Sequence, residues 1–460
     1  MGGSTLNGGI SRWYTDIGLP DYRPALPGDR QADVAIVGAG LTGLWTAYYL
    51  QRLQPDLRIV LLEKEFAGFG ASGRNGGWLS AELAGTRSRY AETHGKDGVV
   101  QLLRAMRAAV DEVIAIAAAE GIDADIVKDG LLHVARNGPQ EQRLAESLEY
   151  ERTWGAGPDD YVRLTSDELD GRIRVAGARG AVFTPHCARV QPAKLVRGLA
   201  EVVERGGATI YEQTTVTDIA PGRAVTDRGT VTAPIVLRCL EGFTASIRGQ
   251  RRNWLPMNSS IVVTAPLADD VHREIGWSGA ELLGDYAHAY MYAQRTRDDR
   301  IALGGRGIPY RYGSRTDVRG ATQDWTIEAL TGVLHDMFPA LRATPIDQAW
   351  CGVLGVPRDW CATVSLDRAT GLGTAGGYVG SGLTTTNLAG RTLADLALGR
   401  DTDLTHLPWV DRRIRTWEPE PLRWLGVRAM YALYRTADRR EATLPTTSRL
   451  AQLGNRLTGR

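Results

Sequence analysis

Apolar residues recur along this chain in two rhythms, and the alternation between them sets out the elements. Residues 33–37 form a short run rich in β-branched side chains, and 44–53 carry apolar positions at helical spacing that stop before Pro55. Residues 58–62 form a second apolar run, closed by Glu63. Two buried-strand runs flanking an amphipathic stretch predict a β-α-β unit. Residues 97–119 predict a helix with Val100, Leu103, Met106, Val110, Val113 and Ile114 on one side. Residues 124–136 alternate like a strand, 139–153 read as a helix, and Pro192 opens a helix running to Gly206. Short strands at 208–212, 215–219, 224–227, 230–233 and 235–240 predict a meander that returns to the sheet. Residues 254–312 read as further strands, among them 260–264 and 300–304, followed by a helix at 326–337. A glycine-rich turn at 378–382 feeds a helix at 385–398, and the tail is helical around 423–435. No linker or repeat separates these blocks, which predicts interleaved rather than tandem domains.

Composition narrows the class. The chain has 460 residues, 43% of them hydrophobic and 23% charged, the make-up of two or three globular domains. Lys+Arg is 54 against Asp+Glu 53, which leaves no basic surplus for nucleic acid. No apolar stretch is long enough to span a membrane, and the first 30 residues lack the basic-then-apolar order of a secretory leader. Cys187, Cys239, Cys351 and Cys361 are too few and too spread for a disulfide scaffold, so a cytoplasmic enzyme is expected. The seven histidines show no HxH, HxxxH or HExxH spacing, the cysteines no CxxC, and no GxSxG elbow occurs, so no metal site is expected. Lysine occurs only at Lys64, Lys96, Lys128 and Lys194, which leaves the second half of the chain without one. The Arg-rich tail from Arg412 to Arg460 is interleaved with acids and reads as a solvated helical face.

The chemistry concentrates at the first strand-to-helix turn. Gly38, Gly40 and Gly43 stand in GxGxxG spacing between the first strand and its helix, and Glu63 closes the second strand 20 residues beyond Gly43. The first glycine permits the tight turn, the second lets main chain approach a pyrophosphate at the helix N-terminus, and the third lets helix and strand pack closely. A carboxylate at the second strand's end accepts hydrogen bonds from ribose hydroxyls. With strand, helix and acid in place, dinucleotide binding follows, with Leu41, Thr42 and Lys64 beside the motif.

Which dinucleotide is decided by the rest of the chain. Residues 68–77, including Gly70, Ala71, Ser72, Arg74, Asn75, Gly76 and Gly77, resemble the flavin-facing loop of the D-amino-acid oxidase superfamily, which includes glycine oxidase and sarcosine oxidase. Val190 through Leu195, the strand from Tyr211 to Val216, and the turn from Gly376 to Gly382 match the same pattern in order, over residues 31–400. Ser72 through Gly77 looks most like gamma-glutamylputrescine-oxidase-type amine oxidoreductases. The resemblance implies FAD, held also by Val216, Gly242, Gly352, Gly380, Gly382, Leu383 and Thr384. It further implies oxidation of an amine C–N bond, with O2 or another electron acceptor. Glycines in the loop suit main chain lying against a flat, electron-poor ring, with N–H groups facing the charge that develops on reduction.

The implied fold is α/β: a Rossmann-like FAD-binding domain of glutathione-reductase type, interleaved with an α+β substrate domain built on an antiparallel sheet. The FAD-binding domain is expected from 31–90, 186–250 and 350–400, and the substrate domain from 91–185 and 251–349. Residues 1–30 form an N-terminal extension, and 401–460 a helical tail. Substrate-side candidates are Tyr290 and Tyr292, two positions apart on a strand, Arg306 among glycines at a strand end, His186 ahead of the second cofactor helix, and Arg74, which serves the flavin, the substrate or the loop itself. Core tyrosines and a structural histidine are the competing readings. Cys351 lies where some sarcosine oxidases attach flavin, against the expectation of a non-covalent cofactor. Glycine-oxidase-like members carry an arginine for the substrate carboxylate at the position of Leu354, and its absence implies an amine without an α-carboxylate at the reacting carbon.

Overall fold

The computed structural model describes residues 5–305, 310–316, 319–442 and Ser448. Its organising element is a six-stranded sheet in the order Thr209–Tyr211, Ile59–Leu62, Val34–Val37, Ile235–Arg238, Leu372–Gly376, Thr363–Asp367. All neighbours are parallel except the last pair. Val34–Val37 and Ile59–Leu62 are buried throughout, which is why both read as unbroken apolar runs. Helix Leu41–Leu53 follows the first strand and packs beside Gly382–Ala397. Helix Pro192–Arg205 starts with proline in its first turn and with Gln191 accepting from the Lys194 N–H, and it buries Leu195, Val196, Leu199 and Val203.

The predicted meander divides. Thr209–Tyr211 and Ile235–Arg238 join the parallel sheet, whereas Val216–Ala220, Arg223–Thr226 and Gly229–Thr232 form antiparallel hairpins in a separate four-stranded sheet with Arg30–Gln31.

A nine-stranded, largely antiparallel sheet forms the second layer, in the order Leu6–Asn7, Ile346–Val356, Leu255–Thr264, Ile301–Gly305, Tyr292–Arg295, Leu282–Asp285, Leu131–Ala135, Gly180–Thr184, Val162–Leu164. Ile346–Val356, which spans the boundary expected at 349/350, is one strand paired along its length with Leu255–Thr264. The helix expected at 97–119 runs Arg87–Ala119, with Gly95 out of helical geometry at φ 62°. Its buried face is Val99, Leu102, Met106, Val113 and Ile116, which leaves Val100 and Ile114 half-buried. A helix at Asp269–Ile275 interrupts the segment expected to be strands.

The N-terminus and the tail are both integrated. Leu6–Asn7 adds to the edge of the large sheet, and helix Arg12–Ile17 buries Trp13 and Tyr14. Helix Leu422–Glu441 is not a solvated face on all sides, since Val427, Tyr431, Tyr434 and Ala437 are buried. Asp438 accepts the N–H groups of His288 and Ala289, and Glu441 accepts from Arg143 at 2.8 Å. His288, Asp438 and Glu441 lie close enough to hold a cation, but the Arg143 guanidinium already supplies the positive charge there. No helix among the described residues is long and apolar enough to cross a membrane.

Candidate functional site

A cavity of about 560 Å³ runs from the glycine turn, between the two large sheets, to the strand of Tyr292. Its floor begins where Val34–Val37 ends. Gly38 has φ +102°, and a Cβ there would lie 2.7 Å from the Cys239 carbonyl oxygen. A Cβ on Gly43 would lie 2.1 Å from the Gly38 carbonyl oxygen, so only glycine lets the helix start this close to the turn. Gly38, Gly40, Leu41 and Thr42 line the cavity with the helix N-terminus, where unsatisfied N–H groups favour an anion. Glu63 accepts the Ala39 and Glu65 N–H groups at 3.0 and 3.1 Å, and desolvation pushes its carboxyl up to about 7. Two accepted bonds leave the carboxylate with capacity for further donors.

The loop at 68–77 seats on that helix. Ser72 Oγ accepts the Leu41 N–H at 2.9 Å, and a Cβ on Gly40 would stand 2.9 Å from the same oxygen. Asn75 closes the loop on itself, donating to the Ala71 and Ser72 carbonyls and accepting the Gly77 N–H. Arg74 is buried, donates to the carbonyls of Phe69 (2.7 Å) and Cys351 (3.3 Å), and lies over the Phe69 ring. It thus ties the loop to strand Ile346–Val356. Three side-chain donors hold the loop's carbonyls from behind. Ser11 Oγ donates to the Gly73 carbonyl, Trp13 Nε1 to that of Asn75, and Trp350 Nε1 to that of Arg74, at 2.8, 2.8 and 2.9 Å.

The far wall is the turn at 376–382, where Gly376, Gly377, Val379 and Gly380 all have positive φ. Glu241 fixes it. Its Oε1 accepts the Tyr378 N–H at 2.9 Å and its Oε2 the Gly355 N–H at 2.5 Å, and burial pushes its carboxyl up to about 7. The roof is the large sheet. Tyr292 stands between Gly76 and Gly304, where added Cβ atoms would reach within 2.6 and 2.2 Å of its ring, and its hydroxyl pairs with Ser259 at 3.0 Å. Trp78 meets Tyr292 edge-on at 6.0 Å, Leu354 lines the roof, and Tyr290 is 40% exposed at the rim.

The cavity brings together Gly38, Gly40, Leu41, Thr42, Glu63, Lys64, Gly70, Ala71, Ser72, Arg74, Asn75, Gly76, Val216, Gly352, Gly380, Gly382, Leu383, Tyr290 and Tyr292. Gly43, Gly77, Gly242 and Thr384 do not line it. Gly77 packs against Gln294 and Val190, Gly242 against Val353 and Leu354, and Thr384 is buried in its helix. His186 lies outside the cavity lining and pairs with Asp160 at 2.7 Å, which also binds Arg107. Cys351 is buried with its Sγ donating to the Ala321 carbonyl at 3.3 Å, and it does not line the cavity either. Arg306 lies outside the described residues. Sequence reasoning missed Glu241, Trp78, Ser80, Glu82, Phe243 and Ser259 in the lining. It missed the N-terminal brace as well, although Ile10, Trp13, Tyr14 and Ile17 stand at helical spacing.

The profile of a family described as "FAD dependent oxidoreductase" matches residues 33–396. Gamma-glutamylputrescine oxidoreductase of Escherichia coli (strain K12) is 30% identical over 386 residues, 80% of this chain and 84% of that protein. "Probable oxidoreductase OrdL" of Rhizobium meliloti (strain 1021) is 29% identical over 409 residues, 87% of this chain and 91% of that protein. Among solved structures, glycine oxidase from Geobacillus kaustophilus superposes with a TM-score of 0.70 at 20% identity, over 84% of this chain and 99% of that one.

Proposed function

The chain belongs to the FAD dependent oxidoreductase family, and from that premise we propose that it oxidises the C–N bond of an amine. The residues present fit FAD. The turn at Gly38–Gly43 bares main chain at a helix N-terminus for the pyrophosphate, and Glu63 keeps acceptor capacity for ribose hydroxyls. Val216 main chain meets the adenine in this reading, and Gly70–Gly76 with Gly380–Leu383 take the ring. When bound, FAD supplies the acceptor for the hydride that leaves the carbon beside the nitrogen, and the resulting imine hydrolyses to a carbonyl compound.

The protein's part is orientation and exclusion of water. Tyr292 is fixed by Ser259 and by the two glycines it stands between, so the wall facing the loop is rigid. Trp78 and Leu354 keep that end apolar, which favours the uncharged amine required for hydride loss. Arg74 acts through the loop, holding it to the roof strand. The observation that carries the reading against amino acids is Leu354. Leu354 offers no bidentate partner to an α-carboxylate; of the guanidiniums that line the cavity among the described residues, Arg74 is tied to the loop and the roof strand and Arg319 comes from another segment.

FAD is held non-covalently in this reading, supported by the burial of Cys351 away from the cavity lining. O2 is the acceptor and H2O2 the product. The rival acceptor is another electron carrier, favoured by the lack of any lysine after Lys194, and the rival substrates are an amino acid, an aminophosphonate or an alcohol. The deciding experiment compares kcat/KM for hexylamine, a γ-glutamyl-capped diamine, 2-aminoethylphosphonate, glycine, sarcosine and a D-amino acid. An alkylamine or capped diamine is expected to lead. A lead of about tenfold for glycine, sarcosine or the D-amino acid, about 1.4 kcal/mol of transition-state binding, overturns the Leu354 argument.

A further inference from the structure

The strand Trp78–Ser80 leaves the flavin-side loop in extended form, paired with Cys187–Arg189, and the pairing continues through the Ala81 N–H to the His186 carbonyl. Trp78, Ser80 and Glu82 all line the cavity, the alternate positions that an extended run presents to one side. The Glu82 carboxylate lies 3.6 Å from His133 Nε2, and the His133 ring lies 6.4 Å from that of Trp78, so the carboxylate follows closely beyond the Trp78 ring. Trp78 touches Tyr292, and Tyr292 stands against Gly76 of the loop. The lining therefore leads in order from the loop, past two aromatic rings, to a carboxylate.

That carboxylate differs from the others in the cavity. Glu63 and Glu241 accept main-chain N–H groups, and Glu65 sits beside Glu63 at the opposite end. Glu82 Oε1 lies 3.6 Å from His133 Nε2, longer than a good charge-assisted hydrogen bond. The His133 ring lies beside Trp78 and Tyr286, behind the cavity lining, and of these three rings Trp78 faces the cavity, where an aromatic ring tolerates a cation. A half-exposed carboxylate in the lining, beyond the Trp78 ring from the loop, is suited to a second positive charge.

We propose that Glu82 binds a second cationic group of the amine substrate, so that amines carrying an ammonium several bonds from the reacting carbon are preferred. The inference rests on the amine-oxidising reading given above. It assigns opposite tasks to the two ends of the cavity. The apolar end near Leu354 accepts the neutral nitrogen, while the Glu82 end holds the charged one and fixes which carbon is presented.

The test compares hexamethylenediamine with hexylamine, by anaerobic flavin reduction in the holoenzyme, for the native protein, Glu82→Gln and Glu82→Lys. The native protein is expected to favour the diamine by about tenfold or more in kcat/KM. Glu82→Gln should bring the two amines within about twofold, the larger loss falling on the diamine, and Glu82→Lys should shift the preference to ε-aminocaproate. Equal treatment of the two amines by the native protein, or an equal loss on both in Glu82→Gln, overturns the proposal. Calorimetric titration with hexamethonium against hexyltrimethylammonium, neither of them oxidisable, reads the subsite without turnover. Tighter binding of the dication that disappears in Glu82→Gln supports the subsite, and no difference between the two salts overturns it. Should no amine reduce the flavin, the amine-oxidising reading fails, and this titration still decides the role of Glu82.

Discussion

Trp13 offers a way to perturb the flavin-side loop without touching the cavity. It does not line the pocket, yet its indole N–H donates to the Asn75 carbonyl at 2.8 Å and its ring meets Trp350 edge-on at 5.7 Å. Trp13→Phe keeps most of the packing and removes the donor, leaving a carbonyl unpaired at the back of the loop. Loss of one such bond costs about 1 kcal/mol. If FAD binding needs the loop in its closed form, that energy is drawn from the affinity, and Kd should rise about fivefold. Trp13→Ala also opens a cavity the size of an indole, at about 3–5 kcal/mol of folding stability, and should weaken FAD binding further still. The assay is fluorescence titration of apoprotein with FAD, alongside thermal denaturation of each variant. A Trp13→Ala protein with a lowered Tm but an FAD affinity within about twofold of native would refute the coupling, because the loop would then hold its shape unaided.

Gly38→Ala combines a non-glycine residue at φ +102° with a Cβ 2.7 Å from the Cys239 carbonyl oxygen. Backbone strain alone costs about 1–3 kcal/mol, and the purified variant should lack the flavin absorbance of the native protein. Glu63 and Glu241, held at about 7, and Asp285, held at about 6, all protonate more readily folded than unfolded. The stability they contribute is complete below their ordinary values and is lost as pH rises through 6 to 7, with about 3 kcal/mol at stake for each glutamate. The denaturation midpoint of the apoprotein should therefore be higher at pH 5 than at pH 8, and Glu241→Gln should flatten the slope. A midpoint that rises from pH 5 to pH 8 contradicts this. Acid precipitation should leave a colourless pellet and a yellow supernatant in both native protein and Cys351→Ser, whereas a yellow native pellet would show a covalent flavin.

The glycine-turn side of the cavity was legible because its signals are local. The strand at 34–37, the glycines at 38, 40 and 43 and the acid at 63 lie within one β-α-β unit, and each does its work on near neighbours in sequence. The loop at 68–77 was legible through its glycines for the same reason. Glu241 was not, because its partners Gly355 and Tyr378 come from strand and turn more than 100 residues onward. The brace of Ser11 and Trp13 was hidden in a six-residue helix, too short for its apolar spacing to stand out from a polar N-terminus. His186 precedes the second cofactor helix, as its sequence position promised, but its ring pairs with Asp160 outside the lining. Ser259 meets Tyr292 across the large sheet and Trp78 meets it from a separate two-stranded sheet, long-range contacts that a period of two cannot place.

The measurement that bears most directly on the central claim is anaerobic stopped-flow mixing of the yellow holoenzyme with hexylamine and hexamethylenediamine. Loss of the oxidised-flavin band at a rate that rises with amine concentration and then saturates, with one carbonyl product per flavin reduced, is the expected result. A flavin that stays oxidised with every amine but bleaches with an alcohol or with glycine would contradict it.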